Sequence, residues 1–400
     1  MPKIRMRDAS LYLATILSCT VPTSLAARET VSEKHAIQRA LERQGIAARD
    51  EADRAASLAE IDIIGPRENP AVEISREAAG GENEWQIGIV QPIDLNGRRG
   101  SLVEAARADA AAVDADIARR RQLLVAEVRS AFFGCAGAQA ELTIWQRYTR
   151  ELAEAERVSS ARTGAGDTAV YDVRRVRVEQ RAAEAQSARA RGEAAADCAT
   201  LAALTGLSGP QVDLTAITEV SSVESPVDRP DLLASERRLE AASRRVRAAE
   251  QARVPQLLVG AGVVRRDDGF NTAYGPAVSV GVNVPIWNGG SAAVRREEAR
   301  QAALQWELLI SRRRVEAEQE SALARASSAR EAAVAAAGAR EDAGRLGTIA
   351  ETAYQAGEIG VVELLDAYEA ARDADLSVIA LALDAAIAVV EYDLATGRTY

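Results

Sequence analysis

Two long stretches of this 400-residue chain, 98–162 and 290–355, contain no proline and carry seams of Ala, Leu and Val between Glu and Arg. Each stretch predicts one continuous helix, which at about 1.5 Å per residue would be on the order of 100 Å long. A helix of that length cannot wrap around a compact core, so it needs partner helices along its whole length. The chain therefore predicts long helical hairpins rather than ordinary globular domains.

The two stretches are parts of a tandem duplication. Residues 85–93 align with 278–286, and residues 165–173 align with 356–364 at nearly the same offset and in the same order. In the first pair, a central glycine and a proline near the end are shared. Two matches of this kind argue against chance. The sequence therefore predicts one structural plan that is used twice.

Each copy of the plan is expected to contain a moderate helix, two strands, a long helix, a tight turn and a second long helix. The duplication places the first repeat at 27–206 and the second at 229–400, with a linker at 207–228. The moderate helices are expected at about 32–60 and 229–253. Each long helix should pair with the helix that follows it as an antiparallel coiled coil.

Glycine-rich turns join the helices of each pair. The turns are expected at 164–167 and 356–360, where glycine permits the chain to reverse. Asp167 and Thr168 have side chains that can cap the following helix. The sequence thus predicts two hairpins with exposed tips.

The composition limits the classes of protein to which the chain can belong. Apolar residues make up 48% but aromatic residues only 4%, which is typical of long helices with narrow seams of small side chains. The net charge of −10 excludes nucleic acid as a default partner, because phosphate binding needs a basic patch. One histidine, His35, and three scattered cysteines are too few for a zinc site or a His-dependent triad. We expect no enzymatic activity, no metal site and no cofactor.

The N-terminus is typical of an export signal. Residues 1–26 contain a basic start, a short apolar stretch and a small-x-small cleavage site. Cys19 offers an alternative, in which it becomes the lipidated first residue of the mature chain. Further along, the apolar stretch 376–390 is interrupted by Asp384, so no transmembrane helix is expected. Any membrane span must then consist of strands.

Alternating side chains in the second copy predict a strand with one apolar face, which suits contact with lipid. The predicted lipid-facing set comprises Val278, Val280, Val282, Val284 and Ile286. In the first copy, Trp85, Ile87 and Ile89 share a face in the same way. The alternative is a half-buried strand of a soluble sandwich, which alternation alone does not exclude.

Each of these strands should follow another. The preceding strands are expected at 69–76 and 255–264, and the second is followed by a long polar connection over 265–273. Four strands cannot close a barrel, and open strand edges are not tolerated in lipid. A membrane barrel built from this chain must therefore be shared among subunits.

Two cysteines are placed symmetrically about the first turn. Cys135 and Cys198 have their midpoint next to Gly166, so they would lie level with each other in an antiparallel hairpin. In an oxidising compartment they could form a disulfide, provided that their Cα atoms lie within about 7 Å. The alternative is two small buried seam residues, because free cysteine behaves as a small hydrophobe.

The opening of the second repeat resembles a signature of the TolC-like outer-membrane factors. The signature starts with Arg-Pro-Asp-Leu at 229–232 and continues to Pro255. A strand that ends at 285–286 and runs into Asn-Gly-Gly at 288–290 is also characteristic of the family, as is the duplicated layout. Residues 91–99 resemble the version found in the CzcC-like heavy-metal cation efflux branch. The resemblance covers essentially the whole mature chain.

This resemblance implies an α+β membrane protein. Each chain would supply four β-strands to a trimeric, twelve-stranded outer-membrane β-barrel, and duplicated helical hairpins to a periplasmic α-barrel. The implied partners are two further copies of the chain, a periplasmic adaptor (membrane fusion protein), a proton-driven inner-membrane transporter and outer-membrane lipid. The implied function is a passive exit duct of a tripartite efflux system, for heavy-metal cations in the CzcC-like branch.

The resemblance also implies a gate at the second tip. Glu363 and Asp366 match the family's acidic gate residues, while Tyr354 and Asp172 match the gate's tyrosine and aspartate. The family's gate arginine would fall at Ile359, so the latch must differ in this chain. Three copies of each carboxylate would form rings that favour cations over anions. The alternative is that both carboxylates are solvated positions on an ordinary helix.

For the two tips, the resemblance implies docking on the adaptor, and a plain helix reversal is the alternative. The tip residues are Gly164, Gly166, Asp167, Gly357, Glu358 and Gly360. Two other functions stay open, a type I secretion duct and a periplasmic coiled-coil structural or adaptor protein without a barrel. The valine alternation and the duplicated strand pairs argue against the second of these. A passive pore carries no substrate pocket, so the sequence does not identify the substrate.

Overall fold

A computed structural model of the chain describes residues 30–167, 169–212 and 229–398. The predicted signal peptide, Cys19, Thr168 and most of the predicted linker lie outside the described residues. In chain order the helices are α1 (Glu33–Leu41), α2 (Gln44–Ile64), α3 (Arg98–Ala165), α4 (Val170–Thr205), α5 (Pro230–Gln251), α6 (Ser291–Ala356) and α7 (Val361–Ala395). The strands are β1 (Thr30–Val31), β2 (Ala71–Ala79), β3 (Glu82–Ile93), β4 (Gln211–Val212), β5 (Gln256–Asp267) and β6 (Thr272–Asn283).

The long helices α3 and α6 run through the whole helical part of the chain. They contain 68 and 66 residues, so each is about 100 Å long. The helices α2 and α5 pack on the halves of α3 and α6 nearest the strands, whereas α4 and α7 pack on the distant halves. The predicted pairing of each long helix with the helix that follows it is confirmed. None of the described helices combines the length and apolar character needed to cross a membrane.

The shorter helices meet end to end, and an arginine closes each joint. Arg43, just before α2, donates to the carbonyl oxygen of Leu204 at the end of α4. Arg229, just before α5, donates to the carbonyl oxygen of Ala395 at the end of α7 and pairs with Glu318 of α6 at 2.6 Å. The last carbonyls of a helix lack intrahelical donors and lie at the negative end of its dipole, so a guanidinium stabilises them. Both repeats therefore use the same kind of joint.

Small side chains fill much of the space between neighbouring helices. Ala105 and Ala108 of α3 pack against Ala241 of α5 without any larger apolar side chain between them. Larger side chains gather in two buried clusters, one around Phe132 and one around Tyr148 near the tips. A contact that extends along a helix pair at close spacing needs small residues, which explains the high alanine and low aromatic content.

An antiparallel sheet of four strands, in the order β2-β3-β5-β6, lies at one end of the helices. All four strands connect to helices at the same end of the sheet, and the β2–β3 and β5–β6 turns lie at the opposite end. The two-residue strands β1 and β4 pair in parallel elsewhere. The repeats thus meet in the sheet through β3 and β5.

The predicted end of the last strand is wrong. The strand β6 ends at Asn283, so Val284 and Ile286 lie beyond it. Pro285 has no N–H to contribute to a ladder, and the N–H of Ile286 is donated to the carbonyl oxygen of Val284 at 2.9 Å in a tight turn. The chain therefore leaves the sheet before the predicted alternation finishes.

The predicted polar connection over 265–273 is also wrong, because most of it is strand. The strand β5 continues to Asp267, and β6 begins at Thr272. The Asp268 carboxylate accepts the N–H groups of Phe270 at 2.9 Å and Asn271 at 2.6 Å. An aspartate that binds its own following backbone closes a short turn, so no long loop is needed.

Two predicted helix features differ as well. The helix predicted at 32–60 is divided into α1 and α2, because Arg43 is extended, with ψ at 124°. This break allows Arg43 to reach the end of α4. Asp167 does not cap α4, because the N-cap residue is Ala169, which makes no capping side-chain hydrogen bond.

A disulfide joins the two helices of the first hairpin. Cys135 on α3 and Cys198 on α4 are bonded, with Cα atoms 4.6 Å apart. Gln139 donates to the Cys198 Sγ at 3.1 Å and to the carbonyl oxygen of Pro210 at 3.1 Å, and it accepts the N–H of Val212. The disulfide therefore joins α3 to α4, and Gln139 ties the joined helices to β4 within the cluster around Phe132.

Replacing both cysteines should destabilise the first hairpin. The bond joins residues separated by 63 positions, and constraint of the unfolded chain by a loop of that size stabilises by up to about 4 kcal/mol. We expect Cys135→Ser/Cys198→Ser to lower the denaturant midpoint of the detergent-solubilised protein. A reducing agent should lower the wild-type midpoint to the same value and leave the double variant unchanged. Equal midpoints for the wild type and the variant under oxidising conditions would contradict the prediction.

Candidate pore surfaces and gate

The four-stranded sheet has one apolar face, which we call the outer face. Register across the sheet places Trp85, Ile87 and Ile89 of β3 on the same side as Val278 and Val280 of β6. The exposed large apolar residues of the outer face are Val72, Ile74, Trp85, Ile87, Ile89, Val259, Val263, Tyr274, Val278, Val280 and Val282. The outer face is therefore a broad apolar surface that the chain itself leaves exposed.

The opposite side of the sheet, which we call the inner face, is polar and acidic. Within the four described strands it carries the carboxylates of Glu73, Glu77, Glu82 and Glu84, and one basic residue, Arg266. Arg266 pairs with Glu84 at 2.6 Å. Three carboxylates are left without a basic partner on this face, so its field favours cations.

Both edges of the sheet are open in the chain as described. Neither β2 nor β6 pairs with a second strand. The helices form a layer with open edges as well. In this layer α2 packs on α3, α3 on α5 and α5 on α6, in the same order as the strands to which they connect. On α6, the large apolar side chains of Trp306 and Ile310 are exposed. The sheet and the helical layer beneath it therefore end in surfaces that suit another copy of the chain.

The two hairpin tips lie side by side, and every glycine predicted for them is exposed. Gly166 and Gly357 adopt left-handed conformations, with φ of 87° and 78°, and they end α3 and α6. Gly164, Asp167, Glu358 and Gly360 are also exposed. Exposed apolar side chains adjoin the turns, namely Val170, Tyr171 and Val362. The tips are therefore accessible surfaces with apolar contacts to offer.

Arg162 joins the two tips, and sequence reasoning missed it. Its guanidinium donates to the carbonyl oxygen of Tyr354 at 3.0 Å and lies 5.2 Å from the centre of the Tyr354 ring. Tyr354 is buried, and its hydroxyl has no hydrogen-bond partner among the described residues, so Asp172 does not bind it here. Asp172 lies half-buried in the first turn of α4. A basic group thus reaches the second tip from α3, although Ile359 occupies the position expected for the family's arginine.

The two predicted gate carboxylates belong to a longer acidic stripe on α7. Glu363, Asp366, Glu369 and Asp373 are spaced by three or four residues, which places them along one side of the helix. Glu363 and Asp366 are exposed, whereas Glu369 is half-buried. Burial and the nearby Glu179 carboxylate raise the pKa of Glu369, and Asp366 adds to this effect. Sequence reasoning missed Glu369, although its helical spacing from Asp366 was visible.

A charged layer supports the stripe from behind. Asp375 of α7 is buried between Arg147 of α3 and Arg340 of α6, the latter at 2.6 Å. Arg372 lies over the rings of Trp145 and Tyr148, with 4.6 Å from its guanidinium carbon to the Tyr148 ring centre. These contacts connect three helices across the hairpins. They therefore set the position of α7, and with it the stripe.

Comparison with known proteins agrees with this architecture. The chain matches the family model for outer membrane efflux proteins in two segments, 36–207 and 223–398, which correspond to the two repeats. It is 26% identical over 260 residues to the nickel-cobalt-cadmium resistance protein NccC of Alcaligenes xylosoxydans xylosoxydans. That match covers 60% of this chain and 58% of NccC, so it spans somewhat more than half of the curated relative.

Solved structures share the fold. The chain resembles CusC, for which transmembrane channel formation is described, with a TM-score of 0.73, 20% identity and 92% of each chain covered. It also resembles the open state of the MtrE outer membrane channel of Neisseria gonorrhoeae, with a TM-score of 0.72 and 21% identity over 92% of this chain and 89% of MtrE. Both likenesses show that the duplicated hairpins and the four-stranded sheet form the fold of these channels.

Neutralising Glu369 should stabilise the protein in a pH-dependent way. Its pKa is raised in the folded protein, so the folded state binds a proton more tightly than the unfolded chain and is penalised when Glu369 is charged. We expect Glu369→Gln to raise the melting temperature at pH 7, and the gain to fade as the pH falls through the raised pKa towards 4. The control is Glu193→Gln, which replaces an exposed residue of α4 and should change the melting temperature little. A gain that persists at pH 4 would contradict this explanation.

Proposed function

The chain belongs to the outer membrane efflux protein family, and we propose that it is the outer-membrane exit duct of a tripartite efflux system. In this proposal the duct carries out no reaction of its own, and substrate passes through it from a periplasmic adaptor and an inner-membrane pump. The observation that carries the proposal is the sheet, which has an apolar outer face, an acidic inner face and two open edges. A surface of this kind suits a shared barrel with lipid outside and water inside.

A homotrimer satisfies the open edges most simply. If β6 of one copy pairs with β2 of the next, three copies give a closed sheet of twelve strands and no edge remains in lipid. The same rotation brings the exposed side of α6 against α2 of the next copy, so the helices continue the barrel into the periplasm. The protein would thus reside in the outer membrane, with its helical tunnel and its tips in the periplasm.

Heavy-metal cations are the substrate class that we propose. The relative NccC is named as a nickel-cobalt-cadmium resistance protein. In this chain, the inner face has an excess of carboxylates, and the α7 stripe would form acidic rings in a trimer. Both features lower the free energy of a cation in the conduction path. A type I secretion duct is the second candidate, because its pore would need the same barrel.

At the periplasmic end, we propose a gate formed by Glu363 and Asp366 and held by Arg162. The exposed carboxylates repel one another in a closed trimer, while Arg162 fixes the second tip to the first through Tyr354. The tips themselves would dock on the adaptor, and Val170, Tyr171 and Val362 provide apolar contacts there. Opening would then require the two tips to separate, with loss of the Arg162 contact. A proton-driven transporter is the pump that fits a cation efflux system.

Fractionation tests the membrane assignment with a matched pair of variants. We expect the full chain in the outer-membrane fraction as a trimer. Val278→Arg, on the outer face, should abolish this recovery, because a lipid-exposed arginine near the bilayer midplane costs about 2–4 kcal/mol in each copy. Ser279→Arg, on the inner face of the same strand, should be tolerated. Recovery of the wild type in the soluble or inner-membrane fraction would overturn the proposal.

Ion selectivity tests the gate. In planar bilayers with a salt gradient, the wild-type trimer should prefer cations. We expect Glu363→Gln/Asp366→Asn to reduce the cation-to-anion permeability ratio several-fold, because the rings lose their charge. Glu193→Gln should leave the ratio unchanged. A double variant with wild-type selectivity would show that the two residues are solvated positions away from the path.

A further inference from the structure

Two arginines stand at one level of the outer face, next to two aromatic residues. Cross-strand register places Arg76 of β2, Trp85 of β3, Arg265 of β5 and Tyr274 of β6 in a single row, which we call the rim row. The rim row lies near the β2–β3 and β5–β6 turns, at the end of the sheet farthest from the helices. If the helices lie in the periplasm, the rim row lies at the outer leaflet of the membrane.

The rim row marks the upper limit of the apolar surface. The next row towards the helices consists of Ile74, Ile87, Val263 and Pro276. From that row down to the helical end, the outer face has no charged side chain within the four described strands. Aromatic rings with polar edges favour the boundary between the acyl chains and the headgroups. The rim row is therefore at headgroup level, and the acyl chains lie below it.

The two guanidinium groups bind side chains that are themselves neighbours. Arg76 lies over the Trp85 ring, 5.2 Å from its centre, and donates to the Asn83 side chain at 3.1 Å. Arg265 pairs with Asp267 at 2.9 Å. Asn83 and Asp267 are direct cross-strand partners, so both guanidinium groups reach towards the row just above Trp85.

The charge at this place is not balanced. Asp267 is the one carboxylate on the outer face of the described strands, against two arginines. The inner face has the opposite excess, and the whole chain carries a net charge of −10. Two arginines in one cross-strand row on the lipid side of an acidic protein therefore form a local cationic site. Such a pair binds a phosphate group well, because each guanidinium offers paired N–H donors.

A hollow below the arginines supplies the second half of a site. It has a volume of about 250 Å³ and is lined by Ile74, Trp85, Gln86, Ile87, Val263, Arg265 and Tyr274. Its wall is almost entirely apolar, so it suits part of an acyl chain. A ligand that fills both parts must have a phosphate above and a hydrocarbon chain below.

We propose that the rim row is a binding site for an anionic phospholipid or phosphoglycolipid of the outer leaflet, with the phosphate between Arg76 and Arg265 and an acyl chain in the hollow. The site rests on the proposed function, since it needs the sheet to lie in a bilayer. The two arginines take no part in the proposed ion conduction, so lipid binding gives them a separate role. Each trimer would hold three such lipids around its rim.

Lipid retention tests the site directly. The full chain is reconstituted into vesicles of 90% phosphatidylcholine and 10% phosphatidic acid, extracted in mild detergent and weighed by native mass spectrometry. We expect the wild type to retain phosphatidic acid well above its share of the vesicle, and Arg76→Gln/Arg265→Gln to reduce that enrichment about tenfold, since charge-assisted hydrogen bonds to phosphate are lost. Arg266→Gln is the matched control, because it removes an arginine from the same strand on the inner face.

Three outcomes would overturn the site. The first is equal enrichment in the wild type and Arg76→Gln/Arg265→Gln, and the second is an equal loss in Arg266→Gln. The third is displacement of the lipid by 10 mM inorganic phosphate, which would mean that the acyl chain contributes nothing. Outer-membrane recovery and bilayer conductance are measured on the same preparations. A wild type that inserts and conducts without enriching phosphatidic acid refutes the lipid site alone, whereas failure to insert refutes the duct.

Discussion

The open edges of the chain are the constraint on which the rest of the structure depends. Strands β2 and β6 each present a row of unpaired backbone groups, and in hydrocarbon every such group costs several kcal/mol. A single chain therefore cannot be stable in a bilayer, however apolar its outer face is. Closure with other copies removes the edges and at the same time creates an interior. In the proposed duct, assembly, membrane insertion and the formation of a pore would therefore depend on one another.

The arrangement of the helices around an open interior explains the composition of the chain. A tunnel has no central core, so stability must come from narrow contacts between neighbours along their length. Alanine seams such as Ala105 and Ala108 on Ala241 allow close approach, but they are nearly featureless and would tolerate sliding. Charged pairs between helices, such as Arg312–Glu236 and Arg54–Asp114, contribute little stability because they are exposed. They do penalise a shifted register, because a one-turn slide would separate every pair.

Much of this architecture could be predicted from the sequence because it depends on periodic features. The absence of proline predicts the long helices, and the valine alternation predicts the outer face through Val278, Val280 and Val282. The predicted element boundaries were wrong where a local interaction overrides the periodic pattern of side chains. Pro285 ends β6 early, the Asp268 carboxylate closes a short turn, and Arg43 breaks a helix in order to reach α4.

The candidate sites were less predictable than the fold. The gate carboxylates Glu363 and Asp366 were found by resemblance to a family motif. Arg162 and the rim row depend on which residues from different repeats become neighbours. Arg76 and Arg265 are separated by more than the length of one repeat in the sequence, and only the strand order β2-β3-β5-β6 brings them to one level. No periodicity or short motif encodes a contact of that kind.

Divergence between the two repeats supports separate roles for the two hairpins. In the duplicated alignment, Asp172 of α4 corresponds to Glu363 of α7, but Arg175 corresponds to Asp366 and Val178 to Glu369. This surface of α4 therefore carries one carboxylate and one arginine, whereas the same surface of α7 is an acidic stripe. If both hairpins served only as scaffold, side chains of either charge would keep these surfaces hydrated. The two surfaces would then have no need to differ in charge. An acidic stripe on only one of two equivalent surfaces is expected if α7 faces the permeating ion and α4 faces away from it. In the proposed duct, the duplication therefore supplied two similar hairpins, and the more acidic one would contact the cation while the other supports it.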